Sequence, residues 1–76
     1  MQRLGKVDRT AQGLAIVRLD DADDPPPIGR EVVDESLSTA GRIVDVFGPV
    51  EGPYVAITPA NDRRIATLLD EKLYVQ

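Results

Sequence analysis

Apolar residues in this chain come in short runs rich in β-branched side chains, separated by Gly, Pro and Asp, which is the one-dimensional pattern of an all-β domain. A weak strand is expected over residues 5–9, and Gln12-Gly13 supplies the turn into a stronger strand over 14–19, so the two should pair as a hairpin. After a proline-bound stretch come a strand over 29–34, a link over 35–40, and the strongest strand over 41–47. A six-residue connection leads to a strand over 54–58, and residues 72–75 close the set. Residues 61–69 are ambiguous. Asn61 could cap a helix with Ile65, Leu68 and Leu69 on one face, but the run is short enough that one or two helical turns are the most it should form. Six short strands whose edges must be hidden predict a small closed or nearly closed six-stranded barrel, with at most a short helical turn between Asn61 and Leu69.

The stretch over 41–59 departs from ordinary barrel patterning because both strand faces are apolar. Strict alternation sets Val44 and Val46 on one side and Ile43, Asp45 and Phe47 on the other. Across the turn it sets Tyr54 and Ala56 against Val55 and Ile57. A barrel interior absorbs one set, so the other must lie under a loop or against something outside. The turn between them contains Gly48-Pro49 and Gly52-Pro53, each joining a permissive residue to one with fixed φ, and neither Pro49 nor Pro53 can donate a ladder hydrogen bond. A stiff turn of this kind presents Val50, with Phe47 and Tyr54 beside it, at little ordering cost, which suits a protein interface. The alternative is that the Gly-Pro pairs only stop one strand and start the next, with Phe47 and Tyr54 as core aromatics.

Composition narrows the chemistry. The chain of 76 residues has room for one core, read as a single domain over 1–76, and a chain this small is marginal enough to benefit from a partner. It contains no His and no Cys, which removes thiolate nucleophiles, imidazole acid/base chemistry and zinc sites with N or S ligands. No cofactor and no metal is expected, and the chain reads as non-catalytic. Carboxylate–hydroxyl pairs such as Asp45 with Thr58 or Asp8 with Thr10 are the remaining enzymatic option, but both residue types are common in strands and turns. Thirteen acidic residues against nine basic ones give a net charge of −4, the wrong sign for gripping phosphates unaided. The basic residues are scattered, and only Arg63 and Arg64 are adjacent, so these two are the candidates for a weak direct RNA contact.

The acidic run Asp20-Asp21-Ala22-Asp23-Asp24 before Pro25-Pro26-Pro27 reads as a solvated, extended loop. A divalent-cation site there lacks the ligand spacing and the glycine of a calcium-binding loop. No apolar run approaches the roughly 18 residues of a membrane span, so no membrane association and a cytoplasmic location are expected.

The segment Gly41-Arg42-Ile43-Val44-Asp45-Val46-Phe47-Gly48-Pro49-Val50, followed by Pro53-Tyr54-Val55-Ala56-Ile57, resembles the β-barrel subunit of box H/ACA ribonucleoproteins, the glycine/arginine-rich-domain family, in its archaeal, tail-less form. Arg3-Leu4-Gly5-Lys6-Val7 and Leu73-Tyr74-Val75 add weaker similarity, so the resemblance covers nearly the whole chain. The sequence departs from the family pattern in its long acidic insertion over 20–27 and in Glu51-Gly52 at the turn. The related assembly factor of these particles shares the same barrel.

The resemblance implies a non-catalytic subunit that docks on the catalytic domain of a dyskerin-type pseudouridine synthase. Such a subunit affects substrate loading and release in ribosomal RNA pseudouridylation and meets guide and substrate RNA indirectly. On this reading Ile43, Val46, Phe47, Gly48, Pro49, Val50, Pro53 and Tyr54 form or support the docking face. Weak self-association is expected where no synthase covers that face. A barrel like that of the assembly factor of these particles, and a barrel that binds RNA directly, are the competing readings.

Overall fold

The first hairpin forms where the sequence places its turn. Gln12 and Gly13 both adopt positive φ, 53° and 79°, the pair of conformations that a two-residue hairpin turn needs to match the twist of its strands. In the computed structural model, which describes residues 2–20, 25–61 and 63–76, that turn joins β1 (Gln2–Ala11) to β2 (Leu14–Arg18). The chain continues through β3 (Glu31–Val33), β4 (Thr39–Phe47), β5 (Tyr54–Pro59), a single 3-10 turn (Ile65–Leu68) and β6 (Lys72–Val75). The ambiguous stretch after Asn61 thus resolves as one short turn, and the link after β3 shortens because β4 begins before Gly41.

The strands close into a barrel in the order β1-β2-β5-β4-β3-β6, with every neighbouring pair antiparallel. Closure is achieved by β1, which pairs with β2 along its second half and with β6 along its first. Register breaks between Arg3 and Gly5 and between Val7 and Arg9 bend this ten-residue strand so that it can serve both neighbours. Val7, Val17, Val55 and Val46 stand in register across four strands and point inward. Leu4, Ile43, Ile57 and Leu73 are fully or almost fully buried in the same cluster. Leu68 from the 3-10 turn joins them, so the turn earns its place through one side chain. At Gly41 the sheet admits no side chain, because a Cβ there would collide with the carbonyl oxygen of Thr58 on β5.

Asp34, just after β3, is the one buried charged residue among those described. Its Oδ1 accepts from the Ser36 hydroxyl (2.7 Å) and from the Ser36 and Ser38 amides (2.9 and 3.1 Å), while Oδ2 accepts from Arg63 Nη1 at 3.0 Å. The Ser36 hydroxyl contributes most, and with the Ser38 amide and Arg63 it outweighs the opposing effect of burial and lowers the carboxyl to about 2 from the ordinary 3.8.

A carboxyl lowered by folding stabilises the folded state at pH above its unfolded value, and the contribution is lost as pH falls through the folded one. Chemical denaturation of the wild type between pH 4 and pH 2 should therefore show a loss of about 2 kcal/mol from Asp34. That part of the pH dependence should be missing in Asp34→Asn.

Candidate docking surface

The apolar residues of β4 are sorted by a bulge. Ile43 lies opposite Ile57 and Asp45 opposite Ala56, so Val44 is the extra residue and the inward and outward faces exchange at that point. Strict alternation is therefore corrected. Ile43 and Phe47 do not share a face, because the bulge turns Ile43 and Val46 inward and Val44 and Phe47 outward. Ile43 is 1% exposed and belongs to the core, and Val46 packs against that core from the same side. Ile43 cannot meet a partner directly and Val46 is half-buried; both hold the strand from beneath.

Outside, two rows of side chains cross the sheet. Arg9, Ile16, Ala56 and Asp45 align in register, and Arg18, Tyr54 and Phe47 form the next row. The rings of Phe47 and Tyr54 stack with centroids 5.8 Å apart and planes 24° from parallel, and the Arg9 guanidinium lies 5.2 Å from the Tyr54 centroid. Ile16 and Ala56 face outward yet are buried and stand apart from the interior cluster, in the part of the sheet where this cation–aromatic stack lies. The second apolar set thus serves a small outer cluster. Phe47 is only partly covered by it, at 38% exposure.

The turn after β4 continues this surface. Gly48 adopts φ of 96°, and a Cβ there would press on the Tyr54 ring at 3.0 Å. The Gly52 amide donates to the Pro49 carbonyl at 3.1 Å, which fixes a tight turn with Val50 and Glu51 at its centre. Val50 is 88% exposed at this tip. Pro53 is buried, and its carbonyl accepts from the Leu19 amide, so it anchors the turn to β2 and offers no surface. The Gly29 amide and the Arg30 carbonyl bond Ile43 at 2.8 and 3.0 Å, which draws the segment bearing the exposed Ile28 alongside β4 near Val44. The structure brings Phe47, Gly48, Pro49, Val50 and Tyr54 together, buries Ile43 and Pro53, leaves Val46 half-buried beneath the strand, and sets the exposed Val44 and Ile28 beside them. A bulge has no signature in the β4 sequence, so Val44 could not be assigned outward without the register.

The other candidates separate. Arg63 is engaged by Asp34 and by the Thr39 carbonyl, and its side chain is only 18% exposed, so it is a structural cation and not a free RNA contact. Arg64 is exposed. Asp8 pairs with Arg9 at 3.0 Å, while Asp45 stands opposite Ala56 and Thr58 opposite Arg42 in the sheet register. Of the acidic run, Asp20 bonds Arg3 at 2.7 Å, and the other acids lie outside the described residues. Among the described residues no group of three or more potential metal ligands occurs, and no helix is long and apolar enough to cross a membrane. A hollow at one end of the barrel sets Asp8, Asp20, Glu51 and Asp70 against Lys6 and Arg18, which is again the wrong balance for a phosphate groove.

Comparison with known proteins fixes the family. The pattern of the Gar1/Naf1 RNA binding region matches residues 1–76. The chain belongs to the Gar1/Naf1 family. A solved structure described as the Gar1 domain of Naf1 shares its fold, with a TM-score of 0.70, 16% identity, and coverage of 99% of this chain and 81% of that one. The search of curated proteins gives no match. Gar1/Naf1 membership supports an H/ACA-associated RNA-binding role of a non-catalytic type.

Because Phe47 lies outside the barrel, Phe47→Ala should cost about 1–2 kcal/mol in chemical denaturation, mainly the lost stack on Tyr54. Ile57→Ala in the same assay should cost more, about 2–5 kcal/mol, as a core truncation.

Proposed function

We propose that this barrel is a non-catalytic subunit of a cytoplasmic box H/ACA ribonucleoprotein. It docks on the catalytic domain of a dyskerin-type pseudouridine synthase and aids loading and release of ribosomal RNA during pseudouridylation and ribosome biogenesis. The observation that carries this reading is the apolar projection of Val44, Phe47, Pro49 and Val50, all exposed and held in place by a bulge and a hydrogen-bonded turn. A preorganised anchor loses little freedom on binding, so its buried area converts well into affinity. Docking then biases a loop of the synthase only to the extent that the barrel binds one loop state more tightly than the other.

The RNA contact of the domain is, on this reading, made mostly within the complex. Arg63 is spent on Asp34, the hollow at the barrel end is lined by four carboxylates, and the net charge is −4. The isolated chain should accordingly bind RNA with a shallow dependence on salt, a log–log slope no steeper than about −2. A steep slope would favour direct RNA binding instead.

Calorimetric titration of the synthase, with and without guide RNA, tests the docking. Tight one-to-one binding without RNA is expected, and Phe47→Ala combined with Val50→Asp should weaken it by about 30-fold or more. Unchanged affinity in a variant that still folds would show that the docking face lies elsewhere.

A further inference from the structure

The turn between β3 and β4 places a leucine where the backbone favours glycine. The Asp34 amide donates to the Ser38 carbonyl and the Leu37 amide to the Asp34 carbonyl, both at 3.0 Å, which closes a three-residue loop over 35–37. Leu37, its last residue, has φ of 67°. This is the left-handed position that such loops ordinarily fill with Gly or Asn, because a branched side chain there is strained. Burial does not compensate, since Leu37 is 65% exposed. Nor can the loop relax easily, because the Asp34 carboxylate grips the Ser36 and Ser38 amides and is itself held by Arg63. A rigid, strained turn therefore displays a large apolar side chain to solvent.

We infer that Leu37 is a second apolar anchor of the docking surface, entering an apolar pocket with a basic rim on the protein that carries the RNA. The inference rests on the partner proposed above. Charge selects this occupant. The exposed Glu35 stands beside Leu37, and Arg63 is neutralised by Asp34, so the turn repels phosphate. With a net charge of −4, a second copy of the chain associates at most weakly and is disfavoured against a basic partner. A protein that holds RNA is basic and attracts both the turn and the barrel. Leu37 lies just before β4 and Val50 just after it, and the nine residues of that strand span roughly 30 Å. An interface of about 800 Å² per partner is of similar width, so a partner lying along β4 reaches both ends of that strand.

The test combines melting and titration of the synthase with Leu37→Asn, supported by Leu37→Gly. Asn tolerates the left-handed conformation, so its melting temperature should equal or exceed that of the wild type, while affinity for the synthase should fall about tenfold. If the wild type binds and Leu37→Asn binds equally well, this inference is overturned and the docking proposal stands. If the wild type does not bind, both fall. A melting temperature lowered by more than about 5 °C in both variants would make Leu37 a packing residue and overturn its role as an anchor. Loss of self-association or of RNA binding in place of synthase affinity would overturn it in favour of a second copy or of RNA.

Discussion

Closure of the sheet depends on β1. It bonds β2 on one side and β6 on the other, and its two register breaks supply the curvature that a ten-residue strand otherwise lacks. Without that double pairing the chain would be an open sheet with two long edges and half an interior, which a chain of this size could not keep folded. Everything on the outer surface inherits its position from this closure. The Arg9 guanidinium reaches the Tyr54 ring because the break after Val7 sends Val7 inward and Arg9 outward.

The strand count, the first hairpin, the barrel class and the single helical turn were legible because each has a local cause. Alternating β-branched residues make strands, Gln12-Gly13 makes a tight turn, and the length of the chain leaves room for little else. What could not be read was produced by register. The bulge at Val44 exchanges the two faces of β4, and nothing in the order Ile43, Val44, Asp45, Val46 says where the extra residue falls. The candidate segment was therefore legible as a segment, while the division between outward and inward side chains within it came only from the pairing with β5.

Long-range pairing set the other limit. Arg63 and Arg64 look alike in the sequence, and the doublet is the natural place to look for a phosphate contact. Their fates differ because Asp34, 29 residues earlier, takes one of them. The acidic residue and the cation are joined only once β3 and the segment after β5 meet. The strain at Leu37 was hidden for a related reason, since a turn residue's φ follows from how the flanking strands are joined.

The pairing of Gln2 with Val75 has a kinetic side. The first strand must wait for the last, so the outer edge of β1 is without its partner until the residues of β6 have been synthesised. Contacts of such wide sequence separation require closing nearly the whole chain before they contribute, and folds built on them form slowly. During that interval the free edge of β1 is open to other strands. A barrel of this order has no edges only once its first strand has met its last.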